Sequence, residues 1–231
     1  MGNKLTIASA ILVATLAGVS AANANPIYIG YKIGAGPLTL AATGSGSATY
    51  NATVGAYHFN ISAIGAPLLN DPDFYTSELT TRNSGTTAQT VKLFITQTGL
   101  TTTTDFLDAG FTNNGGATAV TVAAYLQNCI VAGCGTTLAS GDLFATSNLF
   151  SSATLAANAA VDSLGAFPAT VTGMYSQTIV YTFSLGRGKS SLATAALTGV
   201  NVPEPLTLSL FGAGLAGLAA TRRRRRATQA C

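Results

Sequence analysis

Apolar and polar residues alternate with a period of two at many places along this chain, and the alternation predicts β-strands. Ile27, Ile29, Tyr31 and Ile33 share one face, with Tyr28, Gly30 and Lys32 opposite. Tyr50, Ala52 and Val54 share a face, and Tyr57, Phe59 and Ile61 repeat the pattern in shifted phase. That shift falls at Gly55-Ala56, where a bulge or bend is expected. Val91, Leu93 and Ile95 alternate with Lys92 and Phe94. Val120, Val122, Ala124 and Leu126 alternate with Thr121 and Tyr125, and Ile179, Tyr181, Phe183 and Leu185 with Val180, Thr182 and Ser184. Turn-forming clusters separate these pieces: Asn70-Asp71-Pro72-Asp73, Asn83-Ser84-Gly85, Asn113-Asn114-Gly115-Gly116 and Gly186-Arg187-Gly188. Short strands with such punctuation and no long amphipathic helix predict an all-β fold, an antiparallel β-sandwich of about eight or more strands. Ala153 to Val161 is ambiguous, since its alanines suit a helix and its neighbours suit strands. No internal repeat stands out. Thr101 to Thr104 reads as a loop or exposed strand edge, and it forms no regular threonine lattice of the kind ice binding would want.

Both ends break the alternation with continuous apolar runs. At the N-terminus Lys4 precedes the uncharged stretch Leu5 to Val19, which is short for a full membrane span. Ala22 and Ala24 then supply small residues where a signal peptidase inspects the chain. Residues 1–24 are therefore expected to be a cleaved secretory signal, with Asn25 the first mature residue. At the other end, Leu206 to Thr221 is sixteen residues without a charge. As a helix this run covers roughly 24 Å, which suffices for a transmembrane span if the following arginine stems snorkel to the headgroups. Pro203 and Pro205 disfavour extending that helix backwards. Arg222, Arg223, Arg224, Arg225 and Arg226 form a basic stop that should stay cytoplasmic, leaving the body outside.

The order Val202-Pro203-Glu204-Pro205, a short apolar segment containing Phe211-Gly212-Ala213-Gly214-Leu215-Ala216-Gly217, and an arginine cluster near the terminus resembles the PEP-CTERM sorting signal. The resemblance covers about thirty of the 231 residues and does not extend to the body. It implies a substrate of an exosortase, a membrane protease with a cysteine nucleophile, in a Gram-negative bacterium, often one that makes extracellular polysaccharide. Cleavage is then expected near Pro203-Glu204-Pro205. The body would pass from an inner-membrane-anchored intermediate to the cell surface or beyond. The segment Ala227 to Cys231 past the arginines departs from the usual pattern. The expected organisation is a signal peptide at 1–24, a secreted sandwich at 25–201 and a sorting signal at 202–231, with the motif at 202–205, the span at 206–221 and a basic tail at 222–231.

Charge changes meaning once the ends are set aside. The formal net charge of the whole chain is +3. Between Asn25 and Val202 the five basic residues are Lys32, Arg82, Lys92, Arg187 and Lys189. The seven acids there are Asp71, Asp73, Glu78, Asp105, Asp108, Asp142 and Asp162, giving a net of −2. A sparsely charged, slightly acidic body argues against a nucleic-acid partner. Its Val, Ile, Leu, Tyr and Phe are frequent enough to argue against disorder.

Candidate chemistry in the body is thin. Cys129 and Cys134 can form a disulfide closing a small loop in an exported chain, or stay a free pair; a metal site would need more ligands, and His58 is the only histidine. His58 lies on the polar side of its strand beside Asn60 and Ser62, without the partners of a catalytic triad. Asp71, Asp73 and Glu78 are candidate calcium ligands, although Asn70-Asp71-Pro72-Asp73 is also an ordinary turn sequence. Two acids serving a glycosidase need a separation that sequence does not measure, and the chain has no tryptophan to stack sugars. Phosphate-loop and dinucleotide fingerprints are missing, and no catalytic residue or cofactor is expected. The favoured expectation is a non-enzymatic exported surface or matrix protein associated with exopolysaccharide. The alternatives are a carbohydrate- or calcium-dependent adhesion module and a secreted hydrolase.

Overall fold

A computed structural model describes residues 25–116, 119–130, 134–138 and 141–201, together with Phe211 and Leu215; the side chains at 77–80 and 116 are not described. Twelve strands follow one another: β1 (Pro26–Ile33), β2 (Thr39–Ser45), β3 (Ser47–Val54), β4 (Tyr57–Gly65), β5 (Phe74–Asn83) and β6 (Gln89–Leu100) come first. Then come β7 (Phe106–Gly116), β8 (Val120–Asn128), β9 (Leu149–Leu155), β10 (Ala159–Ala166), β11 (Tyr175–Leu185) and β12 (Ser190–Val200). They form two six-stranded antiparallel sheets, ordered β2-β1-β6-β11-β8-β9 and β10-β7-β12-β5-β4-β3. The expected antiparallel β-sandwich is the fold of the body.

Each inward face carries the predicted alternate residues. Ile27, Ile29, Val91, Leu93, Ile95, Ile179 and Tyr181 from the first sheet meet Phe59, Ile61, Phe74, Phe111 and Leu197 from the second in one buried core. Each large apolar side chain buried this way contributes roughly 1.5–3 kcal/mol. Tyr181 reaches across the core to hydrogen-bond the Thr76 hydroxyl on β5, which also accepts from the Ala195 backbone N–H (3.1 Å). Burial pushes the Tyr181 phenol well above its ordinary pKa, so it stays a neutral donor in the interior.

The chain crosses between the two sheets along both sides of the sandwich. β2 and β3 are neighbours separated only by Gly46, so the chain turns from one sheet into the other along one side. β9 and β10 do the same along the opposite side through residues 156–158.

The outer face of the first sheet has a lid. Between β8 and β9, Leu143 and Phe144 of the described stretch 141–148 pack on Tyr28, Phe94 and Val180. The Phe94 and Phe144 ring centroids are 5.7 Å apart. A Cβ on Gly30 would meet the Phe144 ring at 2.6 Å, so that position must be glycine for the lid to seat. Beneath it Thr96 and Thr178 are buried and bonded to each other (2.8 Å). The lid is closed at its root by the expected disulfide between Cys129 and Cys134, with Cα atoms 4.6 Å apart.

Two expectations are corrected and one ambiguity is resolved. The phase shift at Gly55-Ala56 is not a bulge within one strand; it is the two-residue loop of a β-hairpin, with Val54 opposite Tyr57. Reversal of the chain restarts the alternation and so mimics a phase change. Asn113-Asn114-Gly115-Gly116 is not a turn but the end of β7. Asn113 is buried there, and its Nδ2 donates to the Leu155 and Ala156 carbonyls (3.3 and 3.0 Å), while Asn114 is an extra residue opposite β12. The ambiguous Ala153 to Val161 is the end of β9, a turn and the start of β10, with no helix.

Among the described residues no helix is long and apolar enough to cross a membrane. The expected span at 206–221 lies outside them except for Phe211 and Leu215, which are helical and exposed. The signal peptide, the motif Val202–Pro205 and Arg222–Arg226 also lie outside the described residues.

Candidate functional site

Strand direction divides the sandwich into two poles. Pro26 pairs with Ser45 and Val200 with Phe106, which puts the start of β1 and the end of β12 at the same pole. The connections 66–73, 101–105 and 167–174 and the described ends of the β8–β9 connection lie there as well, at what is termed the terminal pole. The other, the far pole, carries the tight turns after β1, β3 and β11 and the 84–88 loop. Twelve strand residues in β6 separate them by about 40 Å at roughly 3.3 Å per residue.

At the terminal pole the body hands over to its tail. β12 is an inner strand, flanked by β7 and β5, and its last residues are held on both sides. The Gly199 N–H donates to Asp73 Oδ1 (2.9 Å). A Cβ at that glycine would strike Pro72 and Thr104 at 2.7 Å, so the exit is wedged between two loops. Asp71 Oδ2 accepts from the Thr101 and Thr102 backbone N–H groups (3.2 and 3.3 Å), tying the same two loops together. Tyr175 adds to the knot by donating its hydroxyl to the Thr102 carbonyl (2.7 Å). Burial, and then the negative charge of Asp71, push the Tyr175 phenol far above its ordinary pKa. The N-terminal side is fixed close by, where the Gly46 N–H donates to the Asn25 carbonyl (3.2 Å).

The carboxylates singled out in the sequence are thus placed. Asp71 and Asp73 lie on one loop, each with an oxygen accepting from a backbone N–H. Glu78 sits on β5 away from that loop. Among the described residues no group of three or more His, Cys, Asp or Glu side chains could hold a metal ion. Asp142 is buried in the lid and accepts from the Ile130 N–H (2.6 Å), bracing the disulfide loop. A cavity of about 350 Å³ opens at this pole among Leu126, Asn148, Phe150, Thr170 and Val171.

His58 stands elsewhere. It is exposed on the second residue of β4, across from Arg82, and its Nδ1 is 3.2 Å from Thr53 Oγ1. That is the far pole, so the imidazole and Asp71, Asp73 and Asp105 are at opposite ends of the molecule. A second cavity of about 250 Å³ opens at the far pole between the ends of β1 and β6 and the β3–β4 hairpin, with Ile33, Val54, Tyr57, Thr87 and Gln89 around it. Sequence reasoning missed the grouping of charges by pole. Finding it requires the direction of every strand, which one-dimensional patterning does not supply.

Comparison with known proteins adds one assignment. The PEP-CTERM protein-sorting motif matches residues 201–225, so the resemblance seen in the tail is a sorting signal in fact. Such a signal marks an exported protein that passes through the membrane to the cell surface and is processed by an exosortase. No curated protein matches the chain. Two solved structures are similar in part. One is TmCBM61 in complex with β-1,4-galactotriose, at 10% identity and a TM-score of 0.32, covering 61% of this chain and 82% of that one. The other is the enzymatically active domain of bacteriophage CBA120 tailspike protein 4, at 8% identity and a TM-score of 0.34, covering 74% of this chain and 19% of that one. Scores this low carry nothing over to this chain.

Proposed function

We propose that this is a non-enzymatic surface or matrix protein, associated with exopolysaccharide, whose sandwich at 25–201 is exported from a Gram-negative cell and parted from its tail near Pro203-Glu204-Pro205. The observation that carries the reading is the junction between body and signal. The matched motif begins at Asn201, one residue after β12 ends at Val200. The inner strand is therefore complete before the motif starts, and a cut inside 202–205 removes nothing from the core.

The same junction supports an orientation before cleavage. Four residues from Val200 reach Glu204, at most about 14 Å of extended chain. The apolar run begins two residues later, so before cleavage the terminal pole is held close to the bilayer, and the protease works between that pole and the lipid. Signal peptidase acts on the same side, because Asn25 lies at the same pole. Arg222 to Arg226 hold the other end of the span in the cytoplasm by the positive-inside rule. The far separation of His58 from Asp71, Asp73 and Asp105 supports the non-enzymatic reading, since acid–base chemistry needs such groups within hydrogen-bond reach of one substrate.

The test is a double substitution, Pro203→Ala with Glu204→Ala, followed by fractionation of the producing cells. The expected outcome is a longer product that stays in the membrane while the unaltered chain reaches the surface. A variant processed to the same size and place as the unaltered chain would remove the protease from the account.

A further inference from the structure

All five basic residues of the body lie at one pole. Lys32 is the next-to-last residue of β1 and is paired directly with Lys92, the fourth residue of β6, on the outer face of the first sheet. Arg82, the next-to-last residue of β5, projects from the outer face of the second sheet beside His58. Arg187 and Lys189 occupy the turn between β11 and β12 that joins the two sheets, and the Lys189 carbonyl accepts from the Asn83 N–H (3.0 Å). Arg82, Lys92, Arg187 and Lys189 are exposed and Lys32 is half-buried. None of the five has an ion-pair partner among the described residues. The seven acids are distributed the other way: Asp71, Asp73, Asp105 and Asp108 are at the terminal pole, Asp142 is buried in the lid rooted there, and Glu78 and Asp162 are midway along β5 and β10.

With so few charges on the molecule, this segregation sets its field. The poles are about 40 Å apart, several times the ~8 Å Debye length of physiological salt, so the acidic pole does not cancel the basic one. The cations form a collar and not a flat patch, with two on one outer face, one on the other and two on the turn between them. A flat bilayer meeting this end would touch the turn and leave both faces unserved. A flexible linear polyanion crossing the pole can reach all three. Exposed Thr90, Ser184 and Ser190 and the half-buried Thr182 stand between the charges, offering hydroxyls to sugar groups. The cavity beside Tyr57 and Gln89 opens within the same end.

We infer that the far pole is a binding face for an acidic polysaccharide, one carrying uronate groups along a flexible chain. The inference rests on the export proposed above, which delivers the body to the extracellular matrix; until cleavage the terminal pole faces the bilayer and the collar points outward. It narrows the polysaccharide from unspecified to anionic and assigns Lys32, Lys92, Arg82, Arg187 and Lys189 to it.

The test uses the full-length chain held in phosphatidylcholine nanodiscs, with polygalacturonate as the probe, neutral dextran as the control polymer and phosphatidylglycerol vesicles as the competing surface. Polygalacturonate should bind, dextran should not, and raising salt from 0.05 to 0.5 M should weaken binding by about 10-fold or more, as expected for a charge-driven contact. The triple variant K92Q/R187Q/K189Q should lose about 10-fold at low salt, while D108N at the other pole should change binding by less than about 2-fold. Equal binding of dextran, a triple variant that binds polygalacturonate unchanged, or tighter capture of the vesicles than of the polymer would each overturn the inference. Localisation is scored separately on the same strain. A chain that reaches the surface and ignores polygalacturonate defeats this inference alone, whereas a chain that never leaves the cytosol defeats the sorting account beneath it.

Discussion

The two poles of the sandwich are built differently. The terminal pole has the long connections, the disulfide, the buried carboxylate of the lid and side-chain bonds that knot loops to the last strand. The far pole has short turns and mostly exposed cations that have no ion-pair partner among the described residues. Side chains at the first tie its loops to the last strand; at the second the buried Asn83 and Asn113 also bind neighbouring carbonyls, while the charged side chains stand outside that network. The proposed contact thus falls on exposed side chains at one end, away from the lid and the disulfide at the other.

The contrast can be broken or sharpened by substitution, beginning with the lid. Phe144→Ala removes the ring that seals the outer face of the first sheet against Gly30 and Phe94, and it should cost about 3 kcal/mol in urea unfolding. A loss below about 1 kcal/mol would mean that the lid is not part of the cooperative fold. Replacing Cys129 and Cys134 with serine frees a loop of sequence separation 5 and should cost about 2 kcal/mol, measured by the same titration with the unaltered protein kept oxidised. Asp73→Ala deletes the acceptor of the Gly199 N–H and should cost about 1 kcal/mol, with faster proteolysis at the C-terminal end of the body as a second readout. Neutralising Lys92, Arg187 and Lys189 together should move stability by less than about 0.5 kcal/mol, because exposed charges without partners contribute little to folding. If this last variant were as damaging as the first, the division of labour between the poles would be wrong.

How much of this was legible in the sequence differs between the sheets. β1, β6, β8 and β11 of the first sheet alternate Ile, Val, Leu and Tyr against polar residues, and their inward positions read directly from the chain. In the second sheet the inward positions of β5 and β12 include Thr76, Thr81, Ala193 and Ala195, all buried but too small or too polar to register as a hydrophobic stripe. Thr76, for one, is held by the Tyr181 hydroxyl from the facing sheet, a tertiary fact. Asn113 misled for a related reason: an asparagine beside glycines signals a turn unless a distant carbonyl, here that of Ala156, claims its amide. At the terminal pole the disulfide was readable from spacing and export. The structural duty of Asp71 and Asp73 was not, because their partners Thr101, Thr102 and Gly199 are far away in sequence. The sorting tail was the most legible part of all, since a proline-bounded motif, an apolar run and an arginine block are local features whose order alone carries the meaning.

The claim on which everything rests is that the sandwich is a finished unit, delivered outside and parted from both of its flanking signals. The direct measurement is intact mass spectrometry of the protein recovered from the cell surface and medium. The account predicts a species beginning at Asn25, ending between Asn201 and Pro205, and two hydrogens lighter than its reduced form. A surface species that still carries residues 1–24 or the arginine block, or a mass ending inside β12, would contradict it.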